Sequence, residues 1–529
     1  MKNSFELYLI DDLAARNTCL HRIKEIFGVG ATPLYDNPTT EFDQFYKLVL
    51  PGNQNKYDQA EEISKIDGVW EVDPIIKILG IFNESESKLY SKNEDHPEKD
   101  LRWNHTVTNF GRAIEKSILD GKLNESAATG IKIAQLDTGI TPHPELSLIN
   151  EFGYNFVEKN NIPIDTLTKG IGKNAGHGTR TASVIIGKNT GEEMDKNDGV
   201  FQYVNLTPYR IAKSVIHLIC SNMDEAIIRA VNDGCQIITL SMGGLPRARL
   251  RKAVEYAYSK GVIMCFAAGN RVGIVVWPAQ YNGTIAVAGT NINNEPWEGS
   301  CHGPSVHISA PGKNVLVATT NKNDKNEHVF RYTFGSGTSY AVPHVAAAAA
   351  IWLNHFKDEL KDFPGPQKIE AFKNALAQSA LRPANWDSGN YGHGVLDAFK
   401  LLEQIPELQI KNSEFAAFRN EATSDQSIKS NKETLSIREK EMLDLLLNNS
   451  VKSESALDRL IENKGSAQAK QNYKILKGAT SISDKELIGK PKPEAIINAM
   501  PDPIPYAKKV SLREKQEIYA NAVLSLRLF

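Results

Sequence analysis

From Ser339 the chain runs Tyr340-Ala341-Val342-Pro343-His344-Val345-Ala346, then Ala347 to Ala350 and Ile351-Trp352-Leu353. An alanine-rich helix of this kind has no polar face, so it must be buried on most of its sides. Pro343 is expected in its first turn, where the missing N–H would have had no helical partner. Ser339 then sits at a helix N-terminus, whose dipole and free N–H groups favour developing negative charge. Two further glycine-flanked stretches carry reactive side chains. Asp137 follows the alternating run Ile131-Lys132-Ile133-Ala134-Gln135-Leu136 and precedes Thr138-Gly139, which places its carboxylate at the C-terminal end of a strand. His177 lies between Gly176 and Gly178, ahead of Thr179 to Ile186, which reads as the start of a buried helix.

An acid, an imidazole and a hydroxyl in this order are the parts of an activated nucleophile. A serine hydroxyl needs a base to take its proton, and that base needs a third group to fix its tautomer and stabilise its imidazolium. Asp137, His177 and Ser339 can fill these roles, with turnover rising with pH as His177 loses its proton. The apolar segment Gly261 to Gly269 reads as a core strand delivering Asn270 to the cleft. Its amide, with the Ser339 backbone N–H, can form an oxyanion hole.

With these stretches the chain resembles the subtilisin-like serine peptidases, the subtilases. The resemblance rests on Asp137-Thr138-Gly139 with His143-Pro144-Glu145-Leu146, Gly176-His177-Gly178-Thr179, Ser241-Met242-Gly243-Gly244, Ala267-Ala268-Gly269-Asn270, Ala310-Pro311-Gly312, Gly337-Thr338-Ser339 through Ala346, and Tyr391 to Ala398. All fall in the family's order, over roughly residues 100 to 405. The resemblance implies an α/β fold, a mostly parallel sheet with helices on both faces, and peptide-bond hydrolysis through an acyl-enzyme on a polypeptide substrate. It also implies a primary side-chain pocket between two backbone walls, here Ser241-Met242-Gly243 and Ala267-Ala268-Gly269, with Val276 at its base. A valine there shrinks the hole and Arg271 adds positive charge to its rim, so small to medium apolar or acidic side chains are expected ahead of large aromatics. One departure is Tyr340-Ala341-Val342 where the family commonly has Met-Ala-Ser after the nucleophile, which changes the packing around Pro343. Structural calcium occurs in the family, but no acidic loop here is assigned to it, and no cofactor is expected.

Two rival readings use the same residues differently. Asp-Thr-Gly is also the hallmark of aspartic proteases, and Asp387-Ser388-Gly389 offers a second aspartate for a shared-proton dyad. That second segment follows Pro383-Ala384-Asn385-Trp386, which reads as a loop, and the dyad would leave His177 and Ser339 idle. The other rival is a non-catalytic peptide-binding scaffold on the same fold, against which stands the presence of all four working groups. His344 and His355 are expected to be helix residues, His143 a turn residue, and Thr138 and Thr179 loop supports.

The chain has 529 residues with a net charge of −2, which gives no general affinity for nucleic acid. Its five cysteines, Cys19, Cys220, Cys235, Cys265 and Cys301, have no paired or metal-like spacing, which suits a reducing interior and a cytoplasmic, non-secreted protein. The start breaks into Asp11-Asp12 before any signal-type apolar core, and no run approaches the roughly 20 apolar residues of a membrane span. Four regions are expected. Residues 1–83 form an α+β domain similar to the propeptides that chaperone and inhibit subtilases, equally readable as a partner-binding domain. Its strands fall at Phe45 to Leu50 and Val69 to Val72, with a helix at Tyr57 to Ile66. Residues 84–100 form a polar linker and 101–405 the peptidase domain. Residues 406–529, where capping boxes recur at Ser436, Ser455, Ser481 and Ser511, form a helical region suited to docking a protein partner.

Overall fold

The computed structural model describes residues 2–35, 42–75, 85–89, 100–124, 128–149, 153–167, 174–188, 198–213, 215, 222–244, 246–271, 275–407 and 437. Nearly all of the expected C-terminal helical region therefore lies outside the described residues. The chain divides into two compact units, Met1–Leu79 with Pro246–Lys252 and Lys411–Phe529, and Gly80–Leu245 with Ala253–Ile410.

In the first unit, β1 (Lys2–Leu9), α1 (Leu13–Phe27), β2 (Thr32–Pro33), β3 (Phe45–Pro51), α2 (Lys56–Ser64) and β4 (Val69–Pro74) follow in order. The sheet order is β2-β3-β1-β4, with β1 antiparallel to both β3 and β4. Phe5, Leu7, Leu9, Ile23, Leu48, Ile63 and Val72 fill the core. The expected strands and helix are present, but the central strand β1 and helix α1 were not foreseen. Glu6, on the face of β1 opposite Phe5, Leu7 and Leu9, forms ion pairs with Arg247 and Arg249, and Asp73 accepts the Ala248 N–H at 3.3 Å.

The second unit carries β5 (Ser85–Leu89), α3 (Trp103–Thr108), α4 (Phe110–Leu119), β6 (Lys132–Asp137), α5 (His177–Ile186), β7 (Asn205–Arg210), α6 (Met223–Asn232) and β8 (Ile237–Leu240). It continues from Ala253 through the rest of α7 (Ala248–Ser259), whose first residues fall in the first unit, and through β9 (Ile263–Ala267), β10 (Ile285–Thr290), β11 (Val306–Pro311), β12 (Val315–Lys322) and β13 (His328–Ser336). Then come α8 (Thr338–His355), α9 (Gly365–Ser379), α10 (Ser388–Tyr391) and α11 (Ala398–Leu401). Six strands form one sheet in the order β11-β10-β9-β8-β6-β7, every pairing parallel. The strands are buried along nearly their whole length, as a parallel sheet covered by helices requires. The chain enters the sheet at β6, steps to β7 on one side, and then continues from β8 on the other. That reversal puts a crevice outside the carboxyl ends of β6 and β8, where open α/β sheets bind ligands. A smaller antiparallel sheet, β12-β13-β5, includes Ser85–Leu89 from within the stretch expected as a linker.

Helix α8 packs against β8, β9, β10 and β11, and all of its residues are buried. The helix opens at Thr338, so Pro343 falls inside it, in the second turn rather than the first. The lost bond would have gone to the Ser339 carbonyl, four residues back. That carbonyl instead accepts the Ser241 hydroxyl at 3.0 Å, which explains why the proline is tolerated deeper than expected.

His344 in α8 is fully buried, with Nδ1 2.8 Å from the Tyr340 carbonyl and Nε2 3.0 Å from Asn104 Nδ2. The carbonyl can only accept and the amide nitrogen only donate, so the ring is the neutral Nδ1–H tautomer. Burial holds its pKa down to about 3, and burial holds that of His143, which accepts the Glu145 N–H, to about 4. Both titrate near 6.5 in the unfolded chain, so their contribution is complete above that pH and is lost as pH falls toward 4. By pH 5 each withdraws roughly 2 kcal/mol. Thermal unfolding should therefore shift to clearly lower temperature between pH 7 and pH 5; a midpoint that stays level over that range contradicts the burial of these rings as neutral groups.

Candidate active site

Asp137 is the last residue of β6 and His177 the first of α5. Asp137 Oδ1 lies 2.7 Å from His177 Nδ1 and accepts the Thr138 N–H at 2.7 Å. A carboxylate only accepts, so Nδ1 carries the hydrogen and Nε2 is the ring's basic nitrogen. Asp137 Oδ2 accepts the Thr181 hydroxyl at 3.0 Å, and Gln135 Nε2 donates to that hydroxyl oxygen at 2.7 Å. Both members of the pair are buried, His177 at 0% and Asp137 at 1% exposure. The approach of the two loops depends on Gly178, where a Cβ would stand 2.2 Å from the Gly139 carbonyl oxygen.

Ser339 is the second residue of α8, and its hydroxyl donates to the Ser241 carbonyl at 3.0 Å. The ring of the next residue, Tyr340, lies against the His177 ring with centroids 6.2 Å apart, so the start of α8 meets the start of α5. Asn270 lies just beyond β9, and its Oδ1 accepts both the Thr338 N–H and the Thr338 hydroxyl at 2.9 Å. Because a backbone N–H only donates, the amide oxygen must face Thr338, which turns the NH₂ group away from it.

Ser339 and Asn270 line one cavity together with Ser241, Met242, Gly243, Ala267, Gly269, Val276, Thr338 and Val215. Its volume is about 20 Å³, room for about one water. Ala268 does not line it; its carbonyl accepts the Val276 N–H at 2.9 Å and so fixes the base. Val276 closes the space between the two walls. A Cβ on Gly243 would come within 2.3 Å of Val276 Cγ2, and one on Gly269 within 3.0 Å of Cγ1.

Sequence reasoning missed the supports. Thr338, quoted only as part of Gly337-Thr338-Ser339, orients Asn270; Thr181 donates to the outer oxygen of Asp137 and is itself held by Gln135, and no motif marks that pair. Asp387 is the N-cap of α10 and accepts from Asn390, a capping role with nothing of a dyad about it. Among the described residues no group of three or more His, Cys, Asp or Glu could hold a metal ion, and no helix is long and apolar enough to cross a membrane.

Comparison with known proteins agrees with this architecture. The model of the subtilase peptidase family matches residues 128–394, half of the chain, and the chain belongs to that family. It is a subtilisin-like serine endopeptidase. Subtilisin Savinase of Lederbergia lenta is 33% identical over 275 residues, covering 51% of this chain and 90% of that protein. A thermostable alkaline protease of Halalkalibacterium halodurans is 29% identical over 319 residues, covering 58% of this chain and 80% of that protein. Among solved structures, fervidolysin of Fervidobacterium pennivorans, a keratinolytic enzyme related to subtilisin, has a TM-score of 0.55 at 21% identity. That likeness covers 77% of this chain and 62% of the other and concerns the fold.

Proposed function

We propose that Ser339 is the nucleophile of this endopeptidase, that His177 is its general base and then its general acid, and that Asp137 orients the ring and stabilises the imidazolium. Ser339 Oγ attacks the scissile carbonyl as His177 Nε2 takes its proton. The tetrahedral oxyanion is held by the Asn270 NH₂ and the Ser339 backbone N–H, and His177 passes the proton to the leaving amine. Water then repeats the cycle on the acyl-enzyme. The observation that carries the reading is the buried 2.7 Å contact between Asp137 and His177, set beside a helix-terminal serine that shares a cavity with the Asn270 amide, whose oxygen is held by Thr338. Asn270→Leu removes one oxyanion donor, so kcat should fall about 10²–10³-fold with KM little changed; a kcat within threefold of the parent value contradicts that role.

The walls at Ser241 to Gly243 and Ala267 to Gly269 take the substrate side chain, with Val276 as the floor. Support comes from the small volume and from the two valine methyls wedged between the glycines. A peptide-library profile should favour small and medium side chains before the scissile bond, and Val276→Gly should shift it toward Phe and Tyr. A parent profile already dominated by those two residues contradicts the floor.

Residues 1–83 are proposed to act as an intramolecular inhibitor, 84–100 as the segment joining them to the peptidase domain 101–405, and the C-terminal region as a docking domain for a protein partner. A cytoplasmic location is proposed on the strength of Cys19, Cys235, Cys265 and Cys301, all of which are buried. An unprocessed chain with full activity counts against the inhibitory role.

A further inference from the structure

Behind the Asp137–His177 pair lies a second buried carboxylate that the reaction does not use. Asp165 is 4% exposed. Its Oδ2 accepts the Thr138 hydroxyl at 2.7 Å and the Gly176 N–H at 2.8 Å, and its Oδ1 accepts the Leu167 N–H at 2.8 Å. Arg210, the last residue of β7 and 1% exposed, places Nη1 3.6 Å from Oδ1. The same guanidinium donates to the Thr138 carbonyl and, through Nε at 3.0 Å, to Glu158. Thr138 in turn uses its hydroxyl oxygen to accept the Gly178 N–H at 3.2 Å.

These bonds have a common centre. Gly176 precedes His177, Gly178 follows it, and Thr138 follows Asp137, so one carboxylate holds the backbone before the imidazole directly and, through the Thr138 hydroxyl, the backbone after it. We propose that Asp165 is a positioning residue for the Asp137–His177 pair, with Arg210 as its counter-charge and Thr138 as the link to Gly178. The inference rests on the roles given above to Asp137, His177 and Ser339.

A buried carboxylate is costly unless paired and hydrogen-bonded, and Asp165 is both. Its bonds are spent on the two loops that set the base, and few of them on packing. In near-attack geometry a displacement of about 1 Å can cost about 10²-fold in rate. Loosening either loop should therefore appear in kcat, because the substrate walls at Ser241 to Gly243 and Ala267 to Gly269 are not held by Asp165.

The test compares kcat, KM and melting temperature for the full chain and four variants on a peptide p-nitroanilide, with Ser339→Ala alongside. In Asp165→Asn the new NH₂ group faces a donor in either orientation, Gly176 N–H in one and Leu167 N–H in the other. We expect kcat to fall about 10–100-fold with KM within about threefold, together with a lowered melting temperature. Asp165→Asn combined with Arg210→Met removes a buried guanidinium that has lost one of its two carboxylate partners; the melting temperature should recover and kcat should not. Thr138→Val removes the hydroxyl's bonds to Asp165 and Gly178 while leaving Gly176 and Leu167 on the carboxylate, and should lower kcat, while Thr138→Ser, which keeps the hydroxyl, should restore it; this pair reads the link even should Asp165→Asn not fold. The proposal is overturned by parental kcat in Asp165→Asn, by kcat that recovers with melting temperature in the double variant, or by equal kcat in Thr138→Val and Thr138→Ser. An active Ser339→Ala protein overturns the nucleophile itself, a failure distinguishable from these.

Discussion

Ser339→Ala should lower kcat by about 10⁶-fold, the size of loss known for removal of the nucleophile in subtilisin itself. The effect is large because, in the proposed mechanism, the other groups act through this one oxygen. Without it His177 has no hydroxyl to deprotonate, and no acyl-enzyme forms. A residual rate about 10³–10⁴-fold above the uncatalysed reaction should persist, since the Asn270 amide and the substrate walls still bind the developing oxyanion and the peptide. The fold should survive. Ser339 Oγ donates to the Ser241 carbonyl at 3.0 Å, whereas the support for Pro343 comes from the Ser241 hydroxyl to the Ser339 backbone carbonyl, which alanine retains. Melting within a few degrees of the parent, with activity gone, is the expected pair of results.

Asp137→Asn should cost about 10²–10⁴-fold in kcat, the upper end being the loss in related triads where the tautomer is lost as well. The surroundings decide what that loss measures. Asp137 Oδ1 accepts the Thr138 N–H at 2.7 Å as well as facing His177 Nδ1. An asparagine therefore places its carbonyl oxygen there and its NH₂ toward Thr181, whose hydroxyl can turn to the His177 or Gly178 carbonyls at 3.3 Å. The Nδ1–H tautomer is kept and the negative charge is lost. Adding Thr138→Pro to remove that N–H would disturb the loop, so the cleaner check is kinetic: kcat falls with KM nearly constant. A loss of less than tenfold would mean that the imidazolium does not depend on this carboxylate.

The parts of the site that were legible in the sequence are those where chemistry forces the local residues. Small residues around Asp137, His177 and Ser339 are demanded by loops that pass within contact distance, as the 2.2 Å clash of a Cβ at Gly178 makes plain. The parallel strands were legible because burial on both faces leaves little but apolar residues. Other features were hidden for equally physical reasons. Strand β1 reads as polar at its start because Lys2, Asn3 and Ser4 are only partly covered, although Phe5 to Leu9 are buried. Ser85–Leu89 looks like linker by composition, and its pairing with β13 is made by backbone groups that composition does not report. The depth of Pro343 depended on a hydroxyl from Ser241, 98 residues earlier in the chain. Asp165 belongs to no motif; its meaning comes from three loops meeting around it.

The most direct test of the central claim is covalent labelling of the folded chain by a fluorophosphonate, read by intact mass and peptide mapping. One adduct should form, on Ser339, and its rate of formation should collapse in His177→Ala and fall steeply in Asp137→Asn. An adduct on another residue, or a folded and proteolytically active chain that takes up no label, would contradict the assignment of the nucleophile and its base.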